Sequence, residues 1–138
     1  MKTAHLFLAS SVAFISALTP ICAEEDSPAA IQMQHIGKSF KTLSIQISDP
    51  AKKDSSLKII DNILQGVNSA KPLVPTPATE LSGESLKAYL NEYAKGLSEL
   101  EASLQDLKKA IAAGDTSAAQ SLISSINKIK KTYHSDLK

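Results

Sequence analysis

The longest helical pattern in this chain is SGESLKAYLNEYAKGLSELEASLQDLKKAIAAG, residues 82–114. Its apolar residues recur at alternating steps of four and three, which is the spacing of one face of an α-helix. Ser82 is a favourable N-cap, and Gly114 is a favourable residue at a helix C-terminus. The stretch therefore predicts a long amphipathic helix. Its apolar stripe consists of Leu86, Leu90, Tyr93, Leu97, Leu100, Leu104, Leu107 and Ile111.

Three shorter amphipathic patterns accompany this helix. The first begins at Ser27-Pro28, the second at Asp49-Pro50 and the last at Asp115 or Thr116, all residues that favour helix starts. Short turns join the first two and the last two helices, whereas residues 71–82 contain three prolines and form a longer loop. The sequence predicts an all-α, antiparallel up-and-down four-helix bundle. The three further stripes are Met33, Ile36, Phe40, Leu43 and Ile47; Leu57, Ile60, Leu64 and Val67; and Ala119, Leu122, Ile126, Ile129 and Tyr133.

The N-terminus has the pattern of a secretory signal peptide. Lys2 precedes an apolar run of about 13 residues, well short of the roughly 20 that span a bilayer. We expect cleavage after Ala23, which separates a signal peptide, residues 1–23, from a periplasmic domain, residues 24–138. Lipidation at Cys22 is the weaker alternative, because the residue before it, Ile21, is not small.

The composition of the predicted mature chain excludes several classes of protein. It contains no cysteine, which rules out disulfides, thiolate catalysis and Cys-type zinc sites. Without Lys2 it has 14 lysines, 14 acidic residues and no arginine, so it offers no basic surface for nucleic acid. It shows neither a catalytic constellation nor a Glu-x-x-His di-iron motif, so we do not expect an enzyme. No further membrane span follows, and we expect a monomer.

Met33 and His134 are the two residues whose side-chain chemistry best indicates a function. In an up-and-down bundle, the start of the first helix and the end of the fourth lie at the same end, so the two side chains can meet. A thioether and an imidazole together suit iron in a porphyrin better than zinc or calcium. Each residue also has a simpler interpretation, Met33 as core filler and His134 as a cation at a helix C-terminus. His35 lies on a different helix face from Met33 and is expected to be solvated.

A pocket is predicted around this pair. The proline-rich loop falls at the same end of the bundle and can form one wall. Apolar residues one or two turns deeper are expected to form the floor. These floor residues are Ile36, Phe40, Leu90, Tyr93 and Leu97.

From end to end, the mature sequence resembles the cytochrome b562 family. The methionine that opens the family's first helix is matched by Met33-Gln34-His35-Ile36, and the Tyr-His near its C-terminus by Tyr133-His134. Residues 112–120, AAGDTSAAQ, are similar to the family's glycine-containing turn and following Ala-Gln step. Lys130 stands where the family's best-known member has an arginine near the haem.

The resemblance implies one haem b per chain, with Met33 and His134 as axial iron ligands and with Lys130 and Tyr133 beside the haem. It implies periplasmic one-electron transfer to a redox partner whose identity the sequence does not give. Lys130 and Tyr133 stand where the related c-type bundles carry cysteines, so the haem would be held non-covalently.

Two alternatives remain at this stage. One is a haem-free periplasmic binding or chaperone-like bundle, which redox inactivity would reveal. The other is a sensor similar to cytochrome c′, in which Met33 fails to bind and one iron position opens to small gases.

Overall fold

Four α-helices make up most of the chain that the computed structural model describes, residues 27–136. They are α1 Pro28–Gln46, α2 Lys53–Ala70, α3 Gly83–Ala113 and α4 Thr116–Asp136. Short 3-10 helices, Pro50–Lys52 and Thr76–Glu80, lie in the first two connections, and residues 27–136 contain no strand. The predicted all-α four-helix bundle is confirmed. The predicted signal peptide lies outside the described residues.

The helix ends show where local sequence controls the fold. The Ser27 hydroxyl accepts a hydrogen bond from the Ala30 N–H at 3.2 Å, and Asp115 Oδ1 accepts one from the Ala118 N–H at 2.9 Å. Gly114 has φ +74°, a left-handed conformation that ends α3 and that glycine adopts without a steric penalty. No helix of the described residues is long and apolar enough to cross a membrane.

Two predicted helix starts differ from the structure. Asp49 accepts a hydrogen bond from the Ala51 N–H at 3.0 Å, but it caps the 3-10 turn, and α2 begins later, at Lys53. Ser82 occupies the N-cap position of α3 without a side-chain hydrogen bond to the helix. Ser82 has the extended backbone usual for an N-cap, but Gly83, the first residue of α3, has φ +57°, which is not a helical value and changes the geometry of the first turn.

The core is mostly aliphatic and forms one cluster to which all four helices contribute. Helices that follow each other in the chain pack together closely, as α1 with α2, α2 with α3 and α3 with α4. Ile63 and Ile123 are buried beside Leu64 and Leu122, so the buried faces of α2 and α4 are wider than the predicted stripes. The largest fully buried apolar side chains are Leu43, Ile60, Ile63, Val67, Leu104, Leu107 and Ile126.

The fourth pair, α1 and α4, packs less closely than the others. Where α1 ends and α4 begins, the Gln120 side-chain amide donates to the Ser48 hydroxyl at 2.8 Å. Farther along, the Lys130 ammonium lies 4.9 Å from the centroid of the Phe40 ring, a cation–π contact between the two helices. Beyond this contact the α1–α4 seam opens around a cavity.

We predict that Leu104→Ala lowers the free energy of unfolding by about 2–5 kcal/mol. Leu104 has no solvent-exposed area, so the shorter alanine side chain leaves a cavity in the core. Urea denaturation followed by circular dichroism measures the change. Gln105→Ala is the control, since Gln105 is exposed on the same turn of α3, and it should change stability by no more than about 0.5 kcal/mol. Equal effects of the two substitutions would contradict the assigned core.

Candidate functional site

A cavity of about 800 Å³ opens at the end of the bundle where α1 begins and α4 ends. Its size is within the range of cofactor and small-molecule pockets, roughly 300–1,000 Å³. Side chains from α1, α3 and α4 form three sides, and the loop residues Pro75, Thr76 and Pro77 form another. The proline-rich loop is therefore part of the cavity wall, as its position in the chain predicted.

Six of the nine residues predicted for the site line this cavity. Met33 comes from α1, and the other five come from α3 and α4. The six are Met33, Tyr93, Leu97, Lys130, Tyr133 and His134.

The other three predicted residues, Ile36, Phe40 and Leu90, do not line it. Ile36 is buried against α2, where its Cγ1 would lie 3.1 Å from a Cβ placed on Gly66. Phe40 is buried in the core beneath Lys130, and Leu90 is only half-buried on α3. A direct role of these three in binding a cofactor stays a prediction.

Met33 and His134 lie on the two helices that border the open seam. Met33 is 41% exposed and His134 is also exposed, and both line the cavity. Because Met33 is not part of the buried core, filling the core does not explain its presence on the first apolar stripe. The cavity thus brings a thioether and an imidazole to one space from opposite ends of the chain.

The α3 wall is held by a buried tyrosine. The Tyr93 hydroxyl donates a hydrogen bond to the Ala70 carbonyl, at 3.0 Å, which ties the middle of α3 to the last residue of α2. Burial, and secondarily the nearby Tyr89, raise the pKa of Tyr93 above its ordinary value. Burial also raises the pKa of Tyr89, which lines the cavity one turn earlier on α3.

Several wall residues were not predicted from the sequence. Tyr89 falls one turn before Tyr93, so helical spacing from a predicted site residue was the available signal. Lys131 follows Lys130, and Gln34 follows Met33. Gly96 lines the cavity without contributing a side chain, and nothing in the apolar pattern indicated it.

The metal-binding side chains at the site suit a metal that is already coordinated by a cofactor. Within residues 27–136, no group of three or more His, Cys, Asp or Glu side chains is placed to hold a metal ion. The cavity wall instead offers one thioether and one imidazole. Two protein donors are sufficient for iron in a porphyrin, because the macrocycle supplies four nitrogen ligands. The ammonium groups of Lys130 and Lys131 add positive charge to a largely apolar wall.

We predict that Tyr93→Phe lowers the free energy of unfolding by about 0.5–1.5 kcal/mol at neutral pH, because the Ala70 carbonyl loses one buried donor and retains only the hydrogen bond from the Leu73 N–H. The wild type should also lose stability as the pH rises above about 10, because the unfolded chain releases the Tyr93 proton at the ordinary tyrosine pKa while the folded chain retains it. Urea denaturation from pH 7 to 11 should show a shallower decline for Tyr93→Phe. Parallel stability profiles would contradict the raised pKa.

The family comparison agrees with this site. The model of the Cytochrome b562 family matches residues 30–138, a segment that includes both Met33 and His134. No curated protein and no solved structure gives a match to the chain. The family consists of haem-binding electron carriers, in general periplasmic and not generally enzymes. Since the match covers most of the sequence and the fold is a four-helix bundle, this chain belongs to the cytochrome b562 family.

Proposed function

We propose that this protein holds one haem b non-covalently between α1 and α4, with Met33 and His134 as the two axial iron ligands, and that it transfers single electrons in the periplasm. One observation carries the proposal: a thioether from α1 and an imidazole from α4 line the same cavity of about 800 Å³. The other cavity described, at the opposite end of the bundle, holds only about 100 Å³, which favours one haem per chain.

The chemistry of the chain supports non-covalent binding. Cys22, the single cysteine of the sequence, lies within the expected signal peptide, so no thiol is available at the cavity for a thioether bond to a vinyl group. The lining side chains therefore have to retain the cofactor by ligation, apolar contact and charge. Lys130 and Lys131 would attract the two carboxylates of haem b, and Leu97 and Leu100 would contact its apolar surface.

The two axial side chains define the type of reaction. Bound haem b supplies a one-electron Fe(III)/Fe(II) couple. If Met33 and His134 both bound the iron, no position would stay open for oxygen or peroxide, which would favour electron exchange over oxygen chemistry. The Met33 thioether would favour the ferrous state and raise the potential, and the apolar wall would act in the same direction because it disfavours additional charge.

The expected signal peptide, residues 1–23, supports a periplasmic role. We propose a redox partner in that compartment that docks at the open end of the bundle, where bound haem would approach the surface. The exposure of Met33, 41%, and of His134 supports this proposal, because the two proposed ligands lie close to the surface of the bundle.

The first experiment is an absorption spectrum of the purified protein, oxidised and then reduced with dithionite, followed by acid-solvent extraction of the pigment. A low-spin spectrum with extractable haem supports the proposal. A colourless protein that also fails to bind added haemin would leave a haem-free structural bundle. Carbon monoxide binding to the reduced wild type would indicate an open iron position and a gas sensor instead.

We predict different effects for the two ligand substitutions. Met33→Ala should retain haem through His134, convert the low-spin spectrum to a largely high-spin one and allow the reduced protein to bind carbon monoxide. His134→Ala should weaken haem binding more strongly, because the imidazole is the stronger ligand for both oxidation states. Haemin titration followed by absorption spectroscopy measures both effects.

His35→Ala is the matched control for these variants. His35 is exposed on α1 two residues from Met33 and does not line the cavity, so its removal should leave the spectrum and the affinity unchanged. A Met33→Ala protein with an unchanged low-spin spectrum would refute the assigned ligation.

A further inference from the structure

A glycine of α3 makes a close contact with α4 at the cavity. Gly96 is buried in α3 and lines the cavity, and the Tyr133 ring of α4 lies directly against its backbone. A Cβ atom placed on Gly96 would lie 2.8 Å from Tyr133 Cδ1, 2.9 Å from Cγ and 3.0 Å from Cε1. These distances are shorter than van der Waals contact, so any other residue at position 96 would displace the ring.

The ring cannot avoid such a Cβ by moving its tip. Two of the three close atoms, Cγ and Cδ1, are near the start of the side chain, and Cγ is bonded to the Tyr133 Cβ. Moving them by several tenths of an ångström requires a different side-chain rotamer or a shift of the α4 backbone. Gly96 therefore permits the last turns of α4 to approach α3 this closely, and a larger residue at position 96 would hold them apart.

The distance between Gly96 and the Tyr133 ring also affects the position of His134. His134 directly follows Tyr133 in α4, and both line the cavity. Within a helix, a displacement of one residue carries its neighbour with it, because the backbone hydrogen bonds keep the turns rigid. A shift at Tyr133 would thus change where the His134 imidazole lies relative to Met33 on the other side of the cavity.

We infer that Gly96 is a positioning residue for His134: by admitting the Tyr133 ring against the α3 backbone, it sets the place of the imidazole at the cavity. This inference rests on the proposed haem ligation. Its chemical consequence is that position 96 controls how well His134 and Met33 can bind one iron together, although Gly96 itself contributes no ligand.

The other glycines of the chain show that this contact is specific. Gly37 lies in α1, the helix that carries Met33, and a Cβ there would meet no atom within 4 Å. A Cβ placed on Gly66 would lie 3.1 Å from Ile36 Cγ1, which is a less severe contact and involves an aliphatic side chain. Of the five glycines in the sequence, Gly96 alone would bring a Cβ closer than 3.0 Å to another side chain.

The test compares Gly96→Ala with Gly37→Ala. Both substitutions replace glycine by a better helix former, so a general effect on helix stability would be the same in both proteins. We expect Gly96→Ala to weaken haemin binding by about 10–100-fold, the usual effect of disturbing the support of a metal ligand, and to add a high-spin fraction to the absorption spectrum. Gly37→Ala should match the wild type in both respects, and far-ultraviolet circular dichroism should show equal helix content.

A double-mutant cycle with Tyr133→Ala tests whether Gly96→Ala weakens haemin binding by displacing the Tyr133 ring. If Gly96 acts through the ring, adding Gly96→Ala to Tyr133→Ala should cause no further loss of affinity and no further high-spin signal. An additive loss would show that the alanine acts elsewhere and would overturn the inference.

A measurement on the haem-free protein separates this inference from the proposed function. In ¹H–¹⁵N NMR spectra, Gly96→Ala should shift the backbone amide resonances of Tyr133 and His134, whereas Gly37→Ala should leave them in place. If the wild type forms a low-spin haem complex but Gly96→Ala behaves like Gly37→Ala in both experiments, the inference is wrong and the proposed function stands. If the wild type forms no such complex, the proposed ligation fails, and a role of Gly96 in it fails as well.

Discussion

Close packing in one part of the bundle leaves the end with Met33 and His134 incompletely filled, and the candidate site depends on this difference. Leu43, Leu104 and Ile126 are fully buried in a hydrophobic cluster to which all four helices contribute. At the other end, a cavity of about 800 Å³ replaces side-chain contacts. Protein interiors are normally as dense as organic crystals, so such a space forfeits dispersion contacts that a bound group can restore. Occupation of the cavity should therefore couple to the stability of the whole fold.

The arrangement of helix pairs explains why the cavity lies at the α1–α4 seam. α1 and α2 form one hairpin and α3 and α4 the other, and the contact between α2 and α3 joins them. Tyr93 strengthens that junction through its hydrogen bond to the Ala70 carbonyl. The remaining edge, between the first and last helices, is closed at one end by Gln120 and Ser48 and opens at the other. One proposed ligand comes from each hairpin, so a group bound by both would link the two halves of the fold.

The two sides of the site are built differently. On the α4 side, Tyr133 packs against the backbone of Gly96, so the helix that carries His134 has a defined distance from α3. On the α1 side, Met33 is 41% exposed and extends from a helix that packs closely against α2 but not against α4. An unbranched thioether adapts to such a position more easily than a rigid imidazole does. The two proposed ligands thus differ in kind: His134 lies on a firmly supported helix, and Met33 has an adaptable side chain.

The sequence by itself determined the four helices, most of their ends and the end of the bundle at which Met33 and His134 lie, because helical spacing and capping residues are local properties of the chain. It also predicted Tyr93 and Leu97 as residues of the pocket floor, and both line the cavity. Only the tertiary structure decided that Ile36 and Phe40 pack into the core and that Gly96 receives the Tyr133 ring. The tertiary structure also determined that the seam between α1 and α4 is open at the end with Met33 and His134. The physical reason is that periodicity shows which residues share a helix face, whereas the neighbour that this face meets, and its distance, depend on how all four helices pack together.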